Sequence, residues 1–386
     1  MKNSLGNPAR GDGFYDRSKE IKKIYRVLET GASIYLAAPR RVGKTSILKH
    51  LEEFPQEGYH FIYVITESVD DPNEFFKVIF EEVIKSDVIK KIEQLSSAIT
   101  SAIAGLMGIV KKVGPVELRE KEDVNYYDAF VELLSHIKKE HGQVIIMIDE
   151  FPQTIQNIFD KHDKITAANF ILKNRELRHN KHALDKVSFI YTGSVSLFPM
   201  IQKVIELTSI NDVRTVDVHP LDYDDAKDFI SKLMDNEEFT LDNDMIDYVL
   251  ERVKWLIPFH LQLIQQEIVD VYESTNNPID KAAIDQAYDQ IVHSRNKPQF
   301  EPYFSRLTKI FKDSEYGFVL EVLTYVANND VIDNMVLSDK SVKHNIEDTK
   351  NILDILEGDG YLFKQDDAYR YTSPILQSWC KKHICK

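Results

Sequence analysis

The chain has 386 residues and a formal net charge of −14, from 62 acidic against 48 basic side chains. Its length exceeds one ordinary domain and its 43% apolar content can fill more than one core, so two or three domains are expected. The acidic balance excludes a molecule that captures nucleic acid by overall charge, and DNA contact would need a local basic patch.

The opening stretch "MKNSLGNPARGDGFYDRSKE" lacks the apolar run of an export signal, which points to a cytoplasmic protein. A helix over "RSKEIKKIYRVLET" leads into the apolar run "SIYLAA", 33–38, and strand-like runs recur at 59–66, 143–150, 187–193 and, more weakly, 215–221. All but the last are nearly continuous rather than alternating, as strands covered on both faces are. Between them fall the helical segments "KTSILKHLEEF", "DPNEFFKVIFEEVIK", "YYDAFVELLSHIKKEHG" and "ITAANFILKNRELRHN", so an α/β domain on a parallel sheet is expected. Residues 95–123 interrupt this rhythm as an insertion. Its uncharged part, 95–110, is too short to span a bilayer and reads as a packed or partner-binding hairpin, so no membrane contact is expected.

Beyond Pro220, four helical segments read as a small bundle, with Asp222 and Asp242 as N-caps of the first two. "RNKPQFEPYF", 295–304, reads as a linker. The remainder reads as helices followed by a hairpin that turns at Asp366-Asp367, the pattern of a winged-helix domain. Its expected recognition segment, "VKHNIEDTKNILDILE", is acidic, which disfavours DNA as its ligand. The basic cluster Lys381, Lys382, His383 and Lys386 reads as solvated, and Cys380 and Cys385 as reduced thiols outside any zinc or disulfide framework.

The chemistry is carried by "AAPRRVGKTSIL", which follows the first strand. In the pattern G-x-x-x-x-G-K-[ST] the loop aims backbone N–H groups at phosphates, Lys44 reaches the β and γ phosphates, and Thr45 ligates Mg²⁺. Ala38 stands where the first glycine belongs, a conformational position that bears no ligand. Ala38, Pro39, Arg40, Arg41, Val42, Gly43, Lys44, Thr45 and Ser46 are expected to cradle ATP or ADP. About a hundred residues on, "VIIMIDEF" ends a buried strand with Asp149, to hold Mg²⁺, and Glu150, to activate water. An apolar run ending in Asp-Glu is weak alone, but its pairing with Gly-Lys-Thr at this spacing points to a P-loop NTPase, and a Glu directly after the Asp suits hydrolysis.

"FYDRSKEI", the phosphate loop, "VIIMIDEF", "FIYTGSVS", "PLDYDDAKDFI", "IPFHLQLI" and "YRYTSPILQSWCKK" together resemble ATPases of the AAA+/STAND group, similar to origin-recognition ATPases. The resemblance implies an ASCE-type P-loop core over 1–218, a helical lid over 219–295 and a winged helix over 296–386. It implies that Phe14, Tyr15 and Arg17 border the adenine, that Ser194, or else Thr192, senses the γ-phosphate, and that Arg178 or Arg175 serves as an arginine finger. In the lid, Pro258 remains of the family's Gly-x-Pro, Leu256 replaces the Gly, and His260, read as a helix-surface residue, stands where a second sensor arginine is common. The activity implied is slow ATP hydrolysis with Mg²⁺, coupled to a conformational or oligomeric switch and to a protein partner. The alternatives are an origin-recognition-like DNA-binding ATPase and a slow-turnover signalling or defence scaffold.

Overall fold

In the computed structural model, which describes residues 1–90, 124–180, 186–193 and 196–385, the apolar runs become parallel strands. These are β1 (Ser33–Ala37), β2 (Tyr59–Ile65), β3 (Gln143–Asp149), β4 (Val187–Thr192) and β5 (Val213–Asp217). They pair in the order β2-β3-β4-β1-β5. The last strand lies two residues earlier than its sequence pattern suggests, because pairing of Ser33 with Val213 sets its start. Residues 144–149 and the whole of β4 are buried, which is why they carry no polar alternation. The register sets Leu36 beside Thr192 and Ile148 beside Tyr191, so the tips of β1, β4 and β3 share one edge. The expected insertion at 95–123 and Ser194 lie outside the described residues.

Packing divides the chain into two compact units. One comprises Arg17–Ala37 and Ile47–Asp217, and holds the sheet. Its helices are α1 (Ser18–Leu28), most of α2 (Lys44–Glu53), α3 (Pro72–Lys85), α4 (Tyr126–Ser135), α5 (Phe151–Lys161), α6 (Lys164–Arg178) and α7 (Leu197–Val204). Asp71 shows how such a helix starts: its carboxylate accepts from the N–H groups of Asn73 and Glu74, and Pro72 fills the position where an N–H is not needed. The core gathers Phe75, Phe151, Phe170 and Tyr191, with ring pairs at 4.6 to 4.8 Å.

Arg178, at the end of α6, is buried in this unit rather than displayed. Its Nε and Nη2 donate to Asp212 at 2.6 and 3.0 Å, Nη1 to the Tyr191 hydroxyl at 3.3 Å and Nη2 to the Ser209 carbonyl at 3.2 Å. Tyr191 and Asp212 keep the guanidinium charged against the cost of burial. Arg175 is likewise engaged, with the Thr208 carbonyl and Asn211.

The second unit comprises Met1–Asp16, Ala38–Ser46 and Val218–Lys386. It contains α8 (Tyr223–Met234), α9 (Asn243–Val253), α10 (Pro258–Thr275) and α11 (Lys281–Ile291), and Asp222 and Asp242 cap the first two as expected. The expected linker is instead α12 (Lys297–Ser305). Pro298 sits in its first turn, where a missing N–H costs little, and Phe300 is buried, stacked on Trp379 at 4.6 Å. That apolar anchoring outweighs the two prolines that suggested a linker.

The chain continues through α13 (Leu307–Ile310), α14 (Asp313–Asn329), β6 (Ile332–Asp333), α15 (Asn334–Lys343), α16 (Thr349–Gly358), β7 (Leu362–Gln365), β8 (Ala368–Tyr371) and α17 (Pro374–His383). The small antiparallel sheet runs β6-β8-β7, with the expected turn at Asp366-Asp367. The expected recognition segment is not one helix: α15 ends at Lys343, Asn345 takes a positive φ of 54°, and Asp348 caps α16. Lys340, Lys343 and His344 all pair with Glu321 of α14, whose carboxyl they hold down to about 2. Among the described residues no helix is long and apolar enough to cross a membrane.

His260 is not on the helix surface: it is 1% exposed, 5.3 Å ring to ring from Trp255, with Ser373 Oγ 3.5 Å from Nδ1. Burial, with a smaller contribution from Arg41, lowers its pKa to about 3, so the native ring stays neutral.

Two stability tests follow from these buried groups. Asp212→Asn strands the Arg178 charge and should cost about 3–5 kcal/mol in urea unfolding, whereas Arg178→Met combined with Asp212→Leu should recover most of it. Equal losses for both variants would contradict the pairing. For His260, the unfolded chain takes up a proton below about pH 6.5 that the native ring refuses down to about pH 3. Stability should therefore fall as pH drops through that window, by up to about 1.4 kcal/mol per pH unit. His260→Gln should flatten the slope between pH 6.5 and 5.5, and parallel slopes would contradict the assignment.

Candidate functional site

Six residues join β1 to α2, and their backbone answers the missing glycine. Ala38 does not take a positive φ, so its Cβ meets no conformational penalty there. The positive values fall at Arg41, 67°, and Gly43, 110°. A φ of 110° is closed to ordinary side chains, so Gly43 is the glycine this loop requires, and the space where its Cβ would stand is open. The change of sign along 41–43 curves the backbone into the concave form that suits an anion, at the N-terminus of α2.

Lys44 is 8% exposed, and its Nζ donates to the carbonyls of Ala38 at 2.6 Å and Pro39 at 3.0 Å. The ammonium thus folds over its own loop. Val42 is fully buried and anchors the turn, while Ser46 Oγ accepts from Ala9 N at 3.0 Å. The segment before α1 lies along α8: Tyr15 donates to Asp228 at 2.7 Å and meets the Phe229 ring edge-on at 5.1 Å. Phe14 is partly buried. Arg17, in the sheet unit, is 6% exposed and pairs with Glu20 at 3.1 Å. Pro258 occupies the first turn of α10.

The two loop arginines face aromatic rings. The Arg41 guanidinium lies 4.6 Å from the Phe259 ring centre and that of Arg40 5.7 Å from Tyr303. Burial lowers the Arg41 pKa and raises that of the buried Tyr303 phenol to about 12. Next to them, Tyr361 donates to the Tyr303 carbonyl and Arg306 pairs with Asp359 at 2.9 Å, both groups buried. At Gly360, where φ is 81°, a Cβ would stand 2.8 Å from Pro39 Cβ and 2.9 Å from the Trp255 ring. The turn after α16 is therefore packed directly against the phosphate-loop segment. Sequence reading missed Gly360 and Tyr303, since neither has a local pattern that marks it.

In the sheet unit, β3 delivers Asp149, 4% exposed, to the shared strand edge. Its Oδ1 accepts from Glu150 N at 3.1 Å, its Oδ2 from the Tyr63 hydroxyl at 2.9 Å, and its carbonyl from both N and Oγ1 of Thr66 at 3.1 Å. Burial, then Asp149, push the Tyr63 phenol well above its ordinary value, which keeps it a donor. Glu150 caps α5 with φ 62°, a left-handed conformation that costs a non-glycine residue about 1 kcal/mol or more. Thr192 is fully buried, and its Oγ1 donates to the Leu36 carbonyl at 3.3 Å.

Thr45 in one unit and Asp149 in the other each carry an oxygen donor of the kind that a hard divalent cation takes. Among the described residues no group of three His, Cys, Asp or Glu could hold a metal unaided. Mg²⁺ takes one or two protein oxygens and completes its shell with water and substrate phosphates.

Residues 14–253 match the family described as an ATPase domain predominantly from Archaea. An uncharacterized ATP-binding protein of Methanocaldococcus jannaschii is 25% identical over 241 residues, 58% of this chain and 64% of that protein. The chain spans 39% to 64% of the curated relatives it matches. A Walker-type ATPase of Pyrococcus abyssi has a similar fold, with a TM-score of 0.64 at 16% identity over 98% of this chain and 99% of that one. The Aeropyrum pernix ORC2 protein, in ADPNP–ADP complexes, follows at a TM-score of 0.52 and 10% identity, covering 96% and 95%. With its G-K-T and D-E motifs, the chain belongs to this predominantly archaeal family of ATPase domains, and its five-stranded parallel core has an AAA+-like P-loop fold.

Proposed function

We propose that the chain binds ATP and hydrolyses it with Mg²⁺, and that the state of the phosphate loop is passed to the C-terminal segment. The division into a core over 1–218, a lid over 219–295 and a winged helix over 296–386 belongs to this proposal; the helix order and the β6-β8-β7 sheet support the last part.

Lys44 leaves the carbonyls of Ala38 and Pro39 for the β and γ phosphates, and the curved backbone up to Gly43 receives the phosphate oxygens. Thr45 and Asp149 would hold Mg²⁺, which when bound offsets charge on the phosphate oxygens. Glu150 orients a water and accepts its proton as the water oxygen bonds to the γ phosphorus and the bond to the β–γ bridging oxygen breaks. Phe14, Tyr15 and Arg17 border the base, Pro258 starts the lid helix facing it, and Ser194 reads the γ-phosphate. In the present state Arg178 is committed to Asp212, so a finger role requires that bridge to open.

The observation that carries the switch is the contact of Gly360 with Pro39, supported by Arg40 over Tyr303. A loop that reshapes around phosphate moves Pro39 and Arg40, and through them the turn at 359–361 and α12. DNA is the weaker partner, because the α15 cations Lys340 and Lys343 are paired with Glu321; a protein partner or a second copy of the chain fits better.

The test combines nucleotide titration with phosphate release. Lys44→Ala should weaken ATP binding by about 100-fold or more, as loss of a charged contact to phosphate does. Glu150→Gln should bind ATP like the parent and release phosphate at least about 100-fold more slowly. Undiminished binding in the first variant, or undiminished release in the second, would sink this reading.

A further inference from the structure

Tyr63 has no place in the motifs of the phosphate loop or of Asp149 and Glu150, yet it touches the carboxylate that ends β3. Its hydroxyl donates to Asp149 Oδ2 at 2.9 Å, while Glu150 N donates to Oδ1 at 3.1 Å. Two donors on different oxygens fix the rotation of a carboxylate, which one donor alone does not. Tyr63 is itself held from two sides. Glu52 Oε1 accepts from its backbone N at 3.2 Å, and Lys49 Nζ lies 3.4 Å from its ring centre while bonding Glu52 Oε2 at 2.9 Å. Lys49 and Glu52 belong to α2, the helix whose first turn carries Lys44 and Thr45, and Lys49 follows Thr45 by one helical turn.

Resting on the functional reading above, we propose that Tyr63 is the positioning residue for Asp149. Its hydroxyl selects the carboxylate orientation presented to the Mg²⁺ shell, and Lys49 and Glu52 key that orientation to α2. Tyr63 does not touch the reacting atoms. Its effect is confined to how Asp149 is held, as for the outer partners of other metal-bound carboxylates.

Tyr63→Phe keeps the ring and its contact with Lys49 and removes only the hydroxyl. Affinity for a fluorescent ADP analogue should be measured with and without Mg²⁺, alongside phosphate release. In the parent, Mg²⁺ should tighten binding. In Tyr63→Phe the affinity without metal should stay within about twofold, while the gain from Mg²⁺ and the turnover number should each fall about 10- to 100-fold. Lys49→Met, which leaves the hydroxyl in place, should show the same pattern more weakly and guards against a folding defect in the first variant. A Tyr63→Phe protein with the parent's full gain from Mg²⁺ would overturn the proposal, as would loss of metal-free affinity in equal measure. A parent protein that gains nothing from Mg²⁺ would instead overturn the functional reading on which it rests.

Discussion

Between β1 and α2 the chain has six residues in which to turn, and it does so with positive φ at Arg41 and Gly43. A short loop of that curvature at a helix N-terminus gathers N–H groups beside the positive end of the helix dipole, a setting that favours an anion. Lys44 now bridges the loop to its own carbonyls, and Val42 is buried beneath it. Much of what surrounds the loop follows from holding this backbone in shape. Ser46 receives a bond from the N-terminal segment, Arg40 and Arg41 are placed on aromatic rings, and Pro39 is backed by the turn at Gly360.

The C-terminal segment thus has a physical role beside whatever it binds. Buried ion pairs are weak sources of stability but strong determinants of a particular arrangement. Arg306 with Asp359 is such a pair, and it fixes the turn that meets Pro39. Arg306 also keeps Nε and Nη1 buried without a hydrogen-bond partner.

Much of this was legible in the sequence because it depends on local rules. Continuous apolar runs marked the covered strands, Asp222 and Asp242 marked helix starts, and Asp366-Asp367 marked a hairpin turn. The failures share another cause. Residues 297–305 look like a linker until Phe300 finds Trp379, and His260 looks solvated until Trp255 and Ser373 enclose it. Tyr63, Tyr303 and Gly360 carry no motif at all, since their importance lies in partners 86 residues or more away, or on other elements. Long-range packing decides such positions, and a single sequence records only the side chains it has to work with.

The central claim is that nucleotide on the phosphate loop is felt by the C-terminal segment. Amide hydrogen exchange, with and without a non-hydrolysable ATP analogue and Mg²⁺, tests it most directly. The account predicts protection across 38–46 together with altered exchange in α12 and at 359–361. Protection of the loop while those two segments exchange as before would contradict it.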